Sequence, residues 1–336
     1  MIWRKPAAEA DGDTSAKHVL VIQLGGISAF IQALAAAKRI REEHVGARIT
    51  LLTTEATKEL AEKAPYFDMV EADGKPTEPQ AITNLIKRLR GAKYDVVYDL
   101  EGSSRTSNYF QGLRPWPPKW SGPTPGASYA YLDPDRAFMH PLDRLSAQLE
   151  KAGLGAQPLM PELSWLRSTM RDAPRLLPDY FGIRGPYVLL LPRGSDAESN
   201  RRWPEEKYID LAKRIADNGV TPVILGASEE RPIGAAIAKA EPRAKNLVTR
   251  PDLFQCIALA ERASFAVGDD VELMHVAAAA GAPCLVFLSS TTKGVSAPRG
   301  RSGVVEFTAA VIADLPVDQV DRQLRNCGVY RHAATA

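Results

Sequence analysis

The stretch Ser264 to Ser290, SFAVGDDVELMHVAAAAGAPCLVFLSS, constrains the fold more than any other part of the chain. A short apolar run, Phe265-Ala266-Val267, stops at Gly268, and Asp269 and Asp270 follow. A helical stretch from Leu273 to Ala280 then closes at Gly281 and Pro283, and a second buried run, Cys284 to Leu288, comes next. The order reads as strand, tight loop, helix, strand, with a carboxylate at the helix entry and glycine at its exit. In a doubly wound sheet, the loop after a strand's carboxyl end and the helix N-terminus it feeds face the ligand crevice. Asp270 and His275 are therefore candidate ligand-side residues. The alternative reading makes Asp270 only an N-cap and His275 a satisfied helix histidine.

The same grammar recurs along the chain. HVLVIQL (His18 to Leu24) is a buried strand that runs into Gly25-Gly26-Ile27-Ser28-Ala29 and a helix from Phe30 to Glu43. Strands over Ala47 to Thr53, Met69-Val70 and Tyr94 to Leu100 alternate with helices over Thr57 to Lys63 and Ala81 to Arg90. A second series starts with a strand at Tyr187 to Pro192 and a helix at Glu205 to Asn218. It continues with a strand over Thr221 to Leu225 that ends at Gly226, then helices over Pro232 to Ala240 and Asp252 to Ala263. Between the series, Arg114 to Pro134 is rich in Pro, Gly and aromatics without periodicity and reads as a long loop. A Pro-studded segment to about Gly185 then joins the halves. Alternating strands and helices argue a parallel α/β sheet, here twice over, with the ligand in the cleft between two lobes. The expected organisation is a loose lead-in over 1–17, a first lobe over 18–175 and a second over 185–315, the lobes splitting near 165–185. A C-terminal helix and tail over 316–336 is expected to cross back to the first lobe.

A chain of 336 residues is long enough for two domains that each bury a core. Its 42 Lys and Arg against 40 Asp and Glu leave a net charge of +2, spread over both halves, which predicts no nucleic-acid face. Cys256, Cys284 and Cys327 are too far apart for a metal or disulfide framework, which fits a reducing cytoplasm. The polar N-terminus lacks the apolar core of a signal peptide, and no run approaches the roughly 20 apolar residues of a membrane span. The expected location is cytoplasmic, with peripheral contact at the inner face of the membrane left open. No complete GxGxxG follows the first strand, which argues against a dinucleotide-dependent dehydrogenase.

Several segments, taken in order, resemble glycosyltransferase family 9, the lipopolysaccharide heptosyltransferases of GT-B fold. In the first half they are HVLVIQLGGISAF at 18–30, ARITLLTT at 47–54, PYFDMV at 65–70 and YDVVYDLEGSSRTSNYF at 94–110. In the second half they are LLLPRGS at 189–195, RRWPEEKY at 201–208, VILGA at 223–227 and VGDDVELMHVAAAAGAP at 267–283. The resemblance implies two Rossmann-like lobes and metal-independent, inverting transfer of heptose from ADP-heptose to a lipopolysaccharide-type glycan acceptor, with no further cofactor. It implies donor contacts at Ser195, Arg201, Gly226, Asp270, Val271, Glu272, Met274 and His275, with Met274 either lining the nucleobase or packing. It also implies an acceptor-side loop at Gly25, Gly26 and Ser28. The family loop carries an aspartate as general base at the position of Ala29, whose methyl group cannot take a proton. The family's Thr-Gly pair is here Val271-Glu272, which removes a hydroxyl and adds negative charge. Two classes of function remain open. One is a transferase that uses Asp99, Glu101 or Asp270 as a replacement base. The other is a degenerate relative that keeps the shell as a binding or scaffold protein with a protein partner.

Overall fold

The structure is a computed structural model that describes residues 16–170, 173–194, 202–290 and 293–330. The chain forms two compact units, Met1–Leu159 and Met160–Ala336. Unit 1 contains strands β1 (His18–Ile22), β2 (Arg48–Leu52), β3 (Met69–Glu71), β4 (Val96–Asp99), β5 (Lys119–Gly122) and β6 (Tyr129–Ala130). Its helices are α1 (Ile27–Glu43), α2 (Glu55–Lys63), α3 (Pro79–Gly91), α4 (Ser104–Gly112) and α5 (Pro141–Lys151). Unit 2 contains β7 (Tyr187–Leu191), β8 (Thr221–Ile224), β9 (Lys245–Asn246), β10 (Phe265–Asp269), β11 (Cys284–Ser289) and β12 (Val304–Ala309). Its helices are α6 (Leu166–Met170), α7 (Glu205–Asp217), α8 (Arg231–Ala240), α9 (Leu253–Arg262), α10 (Glu272–Ala280), α11 (Lys293–Ser296) and α12 (Val317–Asn326).

All the strand pairs in both sheets are parallel, and the orders are β3-β2-β1-β4-β5-β6 and β12-β11-β10-β7-β8-β9. Counted from each unit's own first strand, the two sheets have one plan. The first and fourth strands are neighbours, and the chain reverses its progress across the sheet between them, which is where an open α/β sheet leaves room for ligands. The expected α/β class with two Rossmann-like parallel-sheet lobes is what the structure has. The central strands read as unbroken apolar runs because helices cover both faces: β7 (YVLLL) and β11 (CLVFLS) are buried at every position. In unit 2, Trp203 packs edge-on against Tyr208 at 4.9 Å and tilted against Phe287 at 4.8 Å, which seats α7 on the sheet. In unit 1 the equivalent core joins Leu20, Ile22, Val97, Phe110 and Trp120.

The structure corrects three expectations. β10 does not stop at Gly268 but runs through Asp269. Glycine stands there because a Cβ would come within 2.1 Å of the Leu191 carbonyl oxygen on β7. The Arg114 to Pro134 segment is not all loop, since β5 and β6 lie in it, paired outward from β4 where prolines between short edge strands are tolerated. The connection between units belongs to unit 2 from Met160 onward: the Leu163 N–H donates to the Ala279 carbonyl at 3.0 Å, so the division falls before 165–185. Helix α12 buries Val317, Val320 and Leu324 in the core of unit 2 and pairs Asp318 with Arg214 of α7 at 2.6 Å. Within unit 2 the C-terminal helix thus packs on α7.

Candidate active site

In unit 1, β1 and β4 end side by side, with Ile22 opposite Asp99. Beyond β1 the chain turns sharply into α1, and the turn is held by side chains. The Gly25 N–H donates to Gln23 Oε1 at 2.9 Å, and the Leu24 N–H donates to Glu101 Oε2 at 3.1 Å. Gly26 is the N-cap of α1 and has no side chain to cap it, while the Ser28 carbonyl accepts from Gln32 at 3.4 Å. A Cβ on Gly25 would lie 2.9 Å from the Ala29 methyl and 3.6 Å from Glu101 Oε2. The bare backbone at Gly25 thus lets a half-buried carboxylate and Ala29 border the same point.

Asp99 is fully buried, which removes the reading of it as a solvated strand end. Its Oδ1 accepts the Gly102 N–H at 2.9 Å, and its Oδ2 is buried without a hydrogen-bond partner. Burial pushes its carboxyl up to about 6. Gln148 of α5 donates to the Asp99 carbonyl at 3.0 Å and so fixes that helix under the strand end.

Unit 2 places Asp269 at the matching strand end, also fully buried and pushed up to about 6 by burial. Its carboxylate accepts the Trp203 N–H at 3.0 Å, the Arg193 N–H at 3.1 Å and the Tyr208 hydroxyl at 2.8 Å. One side chain therefore holds both flanks of the segment that carries Ser195 and Arg201, two candidates that lie outside the described residues. Sequence reasoning passed over Asp269, because Gly268 reads as a strand terminator and makes the aspartate look like part of the loop.

Asp270 is half-buried, its carboxylate 3.4 Å from His275 Nε2, and its carbonyl accepts from the Arg193 guanidinium. It does not cap α10. That place is taken by Val271, whose side chain makes no cap, so the first turn begins with exposed Glu272. Met274 is fully buried. Gly226 lies two residues beyond β8 and under Glu230, whose Cβ is 2.6 Å from where a Gly226 Cβ would be. Glu230 was missed from the sequence because Ala227, three residues before it, lacks the side-chain oxygen that would have marked a capping box. Its carboxylate accepts the Gly194 N–H at 2.8 Å and the Ala227 N–H at 2.7 Å. Unit 1 thus presents an anchored carboxylate that can accept a proton. Unit 2 presents a helix N-terminus without a side-chain cap beside Arg193, a setting that suits an anionic ligand.

Comparison with known proteins agrees with this architecture. The family model described as glycosyltransferase family 9 (heptosyltransferase) matches residues 82–306. Lipopolysaccharide heptosyltransferase 2 of Escherichia coli is 30% identical over 110 residues, which is 31% of this chain and 32% of the relative. The Haemophilus influenzae lipooligosaccharide heptosyltransferase 2 is 26% identical over the same length. Each match spans about a third of the curated relative. Among solved structures, a family 9 glycosyl transferase from Veillonella parvula aligns at TM-score 0.76 and 16% identity, over 93% of this chain and 97% of the other. The E. coli ADP-heptose heptosyltransferase II aligns at TM-score 0.73 and 19% identity, over 92% and 98%. An E. coli heptosyltransferase solved with ADP aligns at TM-score 0.72 and 17% identity, over 92% and 99%. These three structures establish the fold.

Proposed function

We propose that this chain, which belongs to glycosyltransferase family 9, transfers a heptosyl group from ADP-heptose to a sugar of a lipopolysaccharide-type acceptor, with inversion and without a metal. The family match supports the reaction class. One observation supports chemistry in this particular chain: the Glu101 carboxylate, anchored on the Leu24 N–H, borders the same point as the Ala29 methyl. In the family pattern the base stands at position 29, so we assign the lost proton acceptor's role to Glu101. The acceptor hydroxyl gives its proton to Glu101 as its oxygen bonds to the anomeric carbon. The bond from that carbon to the diphosphate oxygen breaks, and ADP leaves with the electron pair. Unit 2 takes the nucleotide, with the N-terminus of α10 and Arg193 on the diphosphate side, and Ser195 and Arg201 are the further donor contacts that the family pattern implies. The work is placed in the cytoplasm, peripheral to the membrane that carries the acceptor. No helix among the described residues is long and apolar enough to cross a membrane.

Glu230 favours the second reading, of a binding or scaffold protein. It already holds the Gly194 and Ala227 amides, which a diphosphate would otherwise recruit. Titration with ADP and ADP-heptose, followed by turnover assays, separates the two. The transferase reading expects ADP binding and measurable turnover that falls about 10²- to 10⁴-fold in Glu101→Gln. It also expects partial recovery when Ala29→Asp is added to that variant. Donor binding with no turnover in the wild type or in Ala29→Asp selects the scaffold reading. Absence of nucleotide binding removes the transferase reading and leaves the scaffold reading.

A further inference from the structure

The proposed base stands beside a polar side chain that is withdrawn from water and has no step in the reaction, Gln23. It follows β1 directly and is only 4% exposed. A buried amide costs stability unless its oxygen and nitrogen find partners, and both partners here lie in the turn that leads into α1. Its Oε1 accepts the Gly25 N–H at 2.9 Å, and its Nε2 donates to the Ala29 carbonyl at 3.4 Å. The side chain therefore spans the turn, from its first glycine to the opening residues of the helix.

The backbone on either side is held by the sheet. The Gln23 N–H donates to the Leu52 carbonyl at the end of β2 at 3.0 Å. On the other side of β1, the Leu100 and Glu101 N–H groups both donate to the Ile22 carbonyl, at 3.0 and 3.2 Å. With the main chain fixed at both places, the Glu101 side chain is what remains to be placed. Its carboxylate accepts the Leu24 N–H at 3.1 Å. Leu24 in turn lies between an amide fixed on β2 and an amide fixed on the Gln23 side chain. Planar peptides leave only the φ and ψ angles between them to turn, so the aim of the Leu24 N–H has little freedom. Glycine at 25 lets these groups close up. The place of a Cβ there is 2.9 Å from the Ala29 methyl, 3.3 Å from Gln23 Oε1 and 3.6 Å from Glu101 Oε2.

We propose that Gln23 is a positioning residue for the transfer: by stapling the turn between β1 and α1, it keeps the Leu24 amide aimed at Glu101 and so fixes the proton acceptor. The inference rests on the assignment of the base to Glu101 and adds the device that holds that base in place. Gln23 acts through the turn and takes no part in the proton transfer itself. A catalytic group displaced by about 1 Å costs on the order of 10²-fold in rate, which is why a staple of this kind matters.

Amide hydrogen exchange of the full chain, read by NMR beside steady-state turnover, tests this in Gln23→Met and Gln23→Glu. Methionine keeps the length of the side chain and loses both hydrogen bonds. In Gln23→Met, exchange at Gly25 and Leu24 is expected to rise about fivefold, the equivalent of one lost hydrogen bond, while Val97 in β4 keeps its protection. Over the same substitution kcat is expected to fall about 10- to 100-fold with KM for ADP-heptose unchanged. Gln23→Glu retains an acceptor for the Gly25 N–H and is expected to protect both amides as the wild type does. Unchanged protection of Leu24 in Gln23→Met would overturn the staple. An equal rise at Val97 would make Gln23 a general core residue and overturn its positioning role, as would a change in KM with kcat intact. If the wild type binds donor without turnover, the assignment of Glu101 as base fails, and exchange at Leu24 still decides whether Gln23 holds that side chain.

Discussion

Asp99 and Asp269 occupy the same place in two copies of one topology, and the environment each meets there is different. Each ends the fourth strand of its unit beside the first, each is fully buried, and burial raises each to about 6. Asp269 has three donors for its two oxygens, from Trp203, Arg193 and Tyr208. Asp99 has the Gly102 amide on Oδ1 and leaves Oδ2 without a partner. Equal burial and equal acidity therefore conceal opposite roles. Asp269 is a clamp that closes the loop after β7 onto α7. Asp99 is a charge stored at a strand end, in the same stretch of chain as Glu101.

The largest effect expected is at the clamp. Asp269→Ala strands two backbone N–H groups and the Tyr208 hydroxyl in the core, at a cost of about 3–5 kcal/mol by comparison with other broken buried networks. Asp269→Asn is also destabilising, because an amide nitrogen at either oxygen position faces a donor. Denaturant unfolding monitored by the fluorescence of the buried Trp203 would read this directly. If Asp269→Ala cost no more than Asp99→Ala, the division into clamp and stored charge would be wrong.

A second, smaller effect concerns how the two strand ends are spaced. The residue before the aspartate is Gly268 in unit 2 and Tyr98 in unit 1, where Tyr98 hydrogen-bonds His44 at 2.8 Å inside the core. At Gly268, β10 approaches β7 so closely that a Cβ would meet the Leu191 carbonyl oxygen at 2.1 Å. Gly268→Ala should therefore cost about 1–3 kcal/mol through forced separation of β7 and β10. An unchanged melting temperature would show that the strands part freely, and the clamp at Asp269 would then lose the rigid base on which it acts.

These contrasts mark the limit of what the residues alone disclose. The repeated strand-helix order was readable because each buried strand is an unbroken apolar run, and helix ends carried their glycines and prolines. The two aspartates were not readable. Asp99 owes its burial to Gly122 and Gln148, from β5 and α5, neither of which is local in sequence. Gly268 signalled a strand end by the usual rule for glycine, whereas here it marks a close approach of two backbones. Glu101 was legible as a strand-end carboxylate, but its anchor on Leu24 and its place beside Ala29 depend on β1 and β4 lying side by side.

Asp99→Asn should act in the opposite sense to Asp269→Asn. The asparagine keeps its oxygen for the Gly102 amide and places its nitrogen where Oδ2 has no partner. A carboxyl raised from 3.8 to about 6 holds its proton more tightly folded than unfolded. Its contribution to stability is thus fully present below about pH 4, falls as pH rises to about 6, and stays low above that. The fall amounts to about 3 kcal/mol at most. Part of it is offset by the cost of an unsatisfied amide, leaving Asp99→Asn about 1–2 kcal/mol more stable than wild type at pH 8. At pH 4 the order should reverse, with Asp99→Asn less stable by about 1 kcal/mol, the cost of its unsatisfied amide. Unfolding at the two pH values checks the sign, and a loss of stability at pH 8 would mean that Asp99 has a partner that stabilises its charge.

The smallest effect expected lies at the N-terminus of α10, where unit 2 has an exposed carboxylate and unit 1 has none in the first turn of α1. Glu272 stabilises the free helix by its charge at the positive end, and it competes with a diphosphate for the same field. Its exposure decides the magnitude: at about 4 Å, two unit charges repel by about 1 kcal/mol in water, against about 4 in a protein-like medium. The water figure applies here, and it weakens binding by about fivefold. Glu272→Gln removes the charge while keeping a good helix former, and so separates repulsion from the backbone cost that Glu272→Gly would add. ADP affinity should rise about fivefold in Glu272→Gln at low salt, and the ratio to wild type should shrink as salt is raised, because screening already softens the repulsion in the wild type. A ratio of one at both salt concentrations would mean that Glu272 does not face the diphosphate. The contrast between the two units would then rest on Asp99 and Asp269 alone, and the altered chemistry of the site on Ala29 and Glu101.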